Sequence, residues 1–210
     1  MMVSRTFSPA RNAAVLRKVV ARIGAARDGV TAIEFGILAP VFLMLMLGTF
    51  DVGQMIYGRA ILNGAVENAA RSSSLETANT TEADNKVLAA VSPILPGATM
   101  TSERISYYDF ADIGRPESWD DANNNDTCDN GESYTDENGN GSWDSDIGES
   151  GNGGAGDVVL YTVHVTYAPT FPVPFLHNHD GHRTFTATAV KKNQPFANQT
   201  GYGSEAGTCS

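Results

Sequence analysis

Residues 30–50 form an apolar run of 21 residues whose single ionisable side chain is Glu34. As an α-helix, at ~1.5 Å per residue, such a run spans about 31 Å, the thickness of a bilayer's hydrocarbon core. The stretch "FLMLMLGTF" is apolar on every side of a helix, which suits lipid better than the one-sided contact offered by a soluble core. Any fold available to this chain has to accommodate the segment, and a single membrane-spanning helix is the expectation.

Charge on either side of the run gives it a direction. Residues 1–29 hold six of the 14 basic residues (Arg5, Arg11, Arg17, Lys18, Arg22 and Arg27) and one acid, Asp28, for a net charge of +5. The rest of the chain has eight bases against 23 acids, net −15. The positive-inside rule keeps such a basic leader in the cytoplasm and exports the chain beyond Asp51, which describes a single-pass protein of the inner (cytoplasmic) membrane. An exported body this acidic repels phosphate, so nucleic acid is excluded as the main partner, whereas the leader suits anionic lipid. Two cysteines, Cys128 and Cys209, are too few for a disulfide framework. One bridge, two thiols and an intermolecular bridge all remain open for an exported domain.

Glu34 is costly where it stands. A charge at the centre of a membrane helix costs roughly 2.5–3.5 kcal/mol, and less near the end, where snorkelling or a positive neighbour helps. A conventional cleaved secretory signal fits poorly, because the leader is long and "LGTFD" offers no small-residue cleavage site. Gly29 ends the leader, and Glu34 is the fifth residue after it. "GVTAIEF" before an apolar helix resembles the processing site of type IV prepilins. In that family a membrane peptidase cuts after the glycine on the cytoplasmic side, and the fifth mature residue is glutamate. Cutting after Gly29 creates an amine at Val30, one helical turn from Glu34, which then pairs with its own or a neighbour's terminus. The longer stretch through Gly29, Glu34, Phe35, Pro40, Asp51, Tyr57, Arg59, Ala69, Ala70 and Arg71 resembles the TadE-like pseudopilins of tight-adherence (Flp) pili. That resemblance implies a prepilin peptidase, other pseudopilins or pilins, and the pilus base as partners. Pro40 removes a backbone hydrogen bond and is expected to kink or pack the helix.

Beyond the membrane, Ile61, Leu62, Ala65, Val66, Ala69 and Ala70 keep helical periodicity, so one helix is expected over about 30–76. "TTEADNKVLAAVSPILPG" reads as a short second helix capped by Thr80 or Thr81 and ended by Pro93 and Pro96. Three strand-like runs come next, at 98–110, 157–169 and 183–192, the second alternating Val159, Tyr161, Val163, Val165 and Tyr167. A small antiparallel sheet leaning on the first helix gives an α+β head over 77–192. Residues 193–210 read as a polar, mobile tail.

No lysine or arginine occurs from 116 to 182, and 117–149 holds eleven acids among many Asn and Gly. Such composition usually means disorder, but its spacing is regular. Asp121, Asn123, Asn125, Thr127, Asp129 and Glu132 occupy positions 1, 3, 5, 7, 9 and 12 of a calcium-loop template. Asp136, Asn138, Asn140, Ser142 and Asp144 repeat the first five positions, with Gly141 at the turn. Calcium takes six to eight hard oxygen ligands, which alternate residues of a tight loop supply. Position 12 of the second copy is Ile147, so Asp146 or Glu149 is expected to substitute, and Asp126 replaces the turn glycine of the first copy. Structural calcium, rather than a regulatory helix pair, is the expectation for the insertion at 117–150; the plain alternative is a solvated acidic linker.

His177, His179 and His182 lie close together, but H-x-H-x-x-H lacks helical metal-ligand spacing, and "HDGH" reads as a turn. No nucleophile elbow, phosphate loop or paired carboxylates outside the calcium ladder is present, so no enzyme is expected. The functional expectation is a non-enzymatic pseudopilin-like subunit. An uncleaved membrane-anchored calcium-binding adhesin is the alternative, and a zinc hydrolase using the histidines is a third.

Overall fold

A computed structural model describes residues 28–74, 79–170 and 181–210. The chain divides into two units, Met1–Thr49 and Phe50–Ser210. The described residues of the first unit are helical and belong to α1 (Asp28–Ser72), which continues through Pro40. Its apolar side chains, including Phe35 at 71% exposure, Leu38, Phe42 and Leu45, are exposed. The helix is long and apolar enough to cross a membrane, and none of its most apolar stretch is buried. An exposed apolar surface of this extent marks a membrane or protein-interaction surface, and its length suits a bilayer.

The second unit is α+β, as expected. Its elements are the C-terminal part of α1, α2 (Thr80–Val91), β1 (Thr99–Tyr107), a 3₁₀ turn (Phe110–Asp112), β2 (Ser133–Asp136), β3 (Glu149–Ser150), β4 (Val158–Tyr167), β5 (Arg183–Lys192) and β6 (Glu205–Thr208). Strands β3, β1, β4 and β5 form one sheet in that order, antiparallel at every pairing. β2 and β6 form a second, two-stranded sheet.

Alternation in β4 and β5 decides which face of the main sheet is buried. Tyr161, Val163, Val165 and Tyr167 on β4, with Phe185, Ala187 and Ala189 on β5, join a core with Leu62, Val66, Ala69 and Ala70 of α1. The α1 residues recur at helical spacing, so one stripe of the helix meets the sheet. α2 adds Ala83, Val87 and Val91, and Leu95 lies just beyond it. Burying each such Val or Leu is worth roughly 1.5–3 kcal/mol. On the other face, Thr162 with Thr188, His164 with Thr186, and Thr166 with Thr184 make cross-strand hydrogen bonds.

Three details depart from the sequence reading. α1 stops at Ser72 rather than 76, and α2 is capped by Asn79, whose side chain accepts from Glu82 N at 3.0 Å, rather than by Thr80 or Thr81. The amide oxygen of Asn meets the orphan N–H as well as a hydroxyl would. Residues 193–210, read as a mobile tail, contain β6 and a buried Cys209. The buried Gly58 lies at a close approach, where a Cβ would stand 2.9 Å from Leu95 Cδ2.

Two buried cations tie β5 to the helix. Arg183 Nη1 and Nη2 donate to Asp51 Oδ1 and Oδ2 at 2.9 and 2.7 Å, and the two residues are 7% and 1% exposed. At the other end of β5, Lys191 Nζ donates to Ser73 O just past the end of α1 and to Asn152 Oδ1 and Asn193 Oδ1 at 2.7 and 3.1 Å. A cation beside the carbonyl end of a helix is favourably placed. Arg183→Met should therefore cost about 3–5 kcal/mol, because it strands the Asp51 carboxylate, while the Asp51→Leu/Arg183→Met pair should recover most of that loss. Thermal unfolding of the detergent-solubilised chain measures both; equal losses in the single and double variants would contradict the assignment.

Candidate functional site

The acidic insertion is an ordered tandem repeat. The copies align as "ESWDDANNNDTCDNG" (117–131) and "ESYTDENGNGSWDSD" (132–146). Each begins with a glutamate that precedes its own loop.

In the first loop Asp121 accepts from Asn125 N and Asp126 N at 3.1 and 2.9 Å, and Asp129 Oδ2 accepts from Asn123 Nδ2 and Asn125 Nδ2 at 2.7 and 2.8 Å. Thr127 N donates to Asn125 Oδ1 at 3.0 Å. The second loop repeats this arrangement fifteen residues on. Asp136 accepts from Gly139, Asn140 and Gly141 N at 2.7, 3.1 and 2.8 Å, and Asp144 Oδ2 accepts from the side-chain amides of Asn138 and Asn140. Ser142 N donates to Asn140 Oδ1 at 2.7 Å. The same two positions take left-handed backbone in each copy: Asn124 and Asp126 (φ 60° and 59°) and Gly139 and Gly141 (φ 76° and 81°). Asp126 thus adopts the turn conformation without glycine, at a cost of roughly 1–2 kcal/mol.

The closing acids are exchanged. Glu132 receives Ala122 N and Asp129 N at 3.0 and 2.9 Å, the second and ninth positions of the first loop. Glu117 receives Glu137 N and Asp144 N at 2.7 and 3.1 Å, the same two positions of the second loop. Glu117 is fully buried, and its carboxylate partners are backbone N–H groups. The sequence reading has Asp146 or Glu149 closing the second loop; here the N–H groups of its second and ninth positions go to Glu117. Asp146 accepts from Tyr107 Oη and Gly148 N, and Glu149 lies in β3, paired with β1. The reason is geometric. Residues 118–120 pair antiparallel with 133–135 through Asp120 N to Ser133 O and Thr135 N to Ser118 O, both 2.8 Å, around the Trp119–Tyr134 bridge. That pairing carries each glutamate to the other copy's loop.

The tail completes the assembly. β6 pairs with β2, Cys209 N donates to Glu132 O at 2.9 Å, and Cys128 of the first loop is joined to Cys209 by a disulfide across 81 residues. Closing a loop of that size contributes about 4 kcal/mol on the chain-entropy account. Trp119 and Trp143 pack edge to face, centroids 5.4 Å apart.

Among the described residues no three His, Cys, Asp or Glu side chains converge as a ready metal cage. The loop carboxylates are instead satisfied by N–H donors, and every donor group in the ladder that could turn to a cation is a hard oxygen, the class calcium takes. His177 and His179 lie outside the described residues, and His182 precedes β5.

Elsewhere in the helix, Gly29 and Val30 lie within α1, and Glu34 and Phe35 stand on its exposed stretch. The family model described as "TadE-like protein" matches residues 29–71, which is α1 almost end to end. No curated protein and no solved structure matches the chain.

Arg115 anchors the second loop from outside. It donates to Glu137 Oε1 and Oε2 at 3.0 and 2.7 Å and to Asp112 Oδ1 at 3.0 Å. The guanidinium holds the Glu137 carboxyl below the usual carboxylate range, against the opposing effect of burial. A depressed folded pKa contributes stability that is present above the unfolded value of roughly 4.3 and is lost as pH falls through the folded one. Unfolding curves taken from pH 5 down to about 3 should therefore fall less steeply for Glu137→Gln than for the natural chain, and parallel curves would refute the linkage.

Proposed function

We propose, on the premise that residues 29–71 make this a TadE-like, pilus-associated chain with a membrane helix, that it is a minor-pilin-like subunit matured by cleavage after Gly29. A prepilin peptidase is the processing enzyme in this reading, and other pseudopilins or pilins of the same system are its partners. The helix holds the subunit in the inner membrane with its leader in the cytoplasm, and its role is structural rather than enzymatic. The observation that carries the reading is the matched helix itself, exposed and apolar with Glu34 as its one acid between Asp28 and Asp51. Cleavage gives that acid a cation one turn away, which removes most of the cost of placing a carboxylate in lipid. Mass spectrometry of the membrane-extracted protein should find Val30 as the first residue. A chain still carrying residues 1–29 would reject the pilin reading in favour of an uncleaved, membrane-anchored adhesin.

For the insertion we propose structural calcium in both loops. Asp121, Asn123, Asn125, Thr127, Asp129 and Glu132 would hold one ion. Asp136, Asn138, Asn140, Ser142 and Asp144 would hold the other, with Glu117 as the closing carboxylate in place of Asp146 or Glu149. Calcium supplies positive charge that balances the acids. The chain's own part is to turn the asparagine amides so that oxygen replaces nitrogen at the loop centre. Each ion would also stiffen the strand that carries the other loop's acid, so the two loops should load together. Calcium on the order of 10⁻⁴–10⁻³ M, typical of extracellular modules, should change Trp119 and Trp143 fluorescence. Glu117→Gln should weaken the calcium affinity on the order of tenfold or more, and Asp146→Asn should leave it unchanged. No fluorescence change at millimolar calcium would remove the calcium reading and leave the pilin reading standing.

A further inference from the structure

A cleft of about 300 Å³ opens beside the second loop, between the end of β1, the 153–157 turn and residues 200–202 of the tail. Its size suits a small ligand or one long side chain. The lining includes Tyr108 and Tyr202 and three acidic residues, Glu137, Glu149 and Asp157, but neither lysine nor arginine. The two rings stand 4.5 Å apart between centroids at a tilt of 43°, and both are exposed.

The electrostatics choose between ligand classes. Glu137 is neutralised by Arg115, whereas Asp157 is met by neutral donors, Gly154 N at 2.6 Å and Gln199 Nε2 at 2.9 Å. Glu149 presents an exposed side chain. A phosphate or carboxylate ligand would be repelled. A neutral sugar would stack on the tyrosines but leave the acids unbalanced. An ammonium group on an aliphatic stem answers both features, the stem against the rings and the charge near the aromatic faces and carboxylates. The tail residue Tyr202 is positioned in advance, its hydroxyl bonded to Asp112 and its ring 5.9 Å from the Arg115 guanidinium. A ring already in place costs little ordering when a ligand arrives.

We propose that this cleft receives a lysine side chain from a protein partner. The proposal does not depend on cleavage of the leader, and because Asn138 lines the cleft and is also a proposed calcium ligand the test is run in the presence of a chelator. Its test uses the full chain in detergent micelles and Nα-acetyl-lysine methylamide as the probe, read by saturation-transfer NMR. Signals on the δ and ε methylenes are expected at probe concentrations on the order of millimolar. The Nε-acetylated probe should bind about tenfold more weakly, as should the natural probe to a Tyr108→Leu/Glu149→Gln variant. Absence of a signal, or equal signals from the two probes, would overturn the proposal. So would undiminished binding to a double variant whose circular dichroism matches the natural chain. If that variant does not fold, the comparison of the two probes on the natural chain decides alone.

Discussion

The buried pair between Asp51 and Arg183 settles how the head is put together, because a carboxylate removed from water tolerates few positions. Asp51 comes one residue after the apolar run, and Arg183 is the first residue of β5. Their two parallel hydrogen bonds fix the strand's start against the helix, and Lys191 fixes its other end at Ser73 O. Between these two ties, the alternation of β5 leaves Phe185, Ala187 and Ala189 facing the core. The pair supplies register more than net stability, since desolvating two charges consumes most of their attraction.

The same constraint governs the acidic insertion. A segment with eleven acids and no base within 117–149 has no hydrophobic reason to fold. It folds here because its loop carboxylates meet backbone and asparagine N–H groups, and because the two copies close each other through Glu117 and Glu132. One copy alone would lose the glutamate that serves it. The disulfide and β6 then fasten the tail against this pair, which is why Tyr202 reaches the cleft.

Much of this was legible residue by residue. The apolar run and the alternation in 157–167 are local patterns, and they recur as α1 and β4. The cap of α2 lies at Asn79, one or two residues before the expected Thr80 or Thr81, because Asn and Thr compete on nearly equal terms at a helix start. Glu117 was missed because a calcium template runs forward along one loop, whereas this acid precedes the loop it serves by nineteen residues at Asp136. A fifteen-residue self-alignment beginning at "ES" would have exposed it. Gly58 carried no local sign of its approach to Leu95, which is 37 positions away.

By itself the sequence determined the membrane-length helix, the acid at the fifth position after Gly29, the α+β character of the remainder and the ladder of oxygen donors. These come from period, composition and spacing, which depend on near neighbours alone. Only the tertiary structure decided that Cys128 pairs with Cys209, that Arg183 meets Asp51, and that each repeat is closed by the other's glutamate. Those choices join residues far apart in the chain, and packing and hydrogen-bond satisfaction select among partners that sequence spacing leaves equivalent.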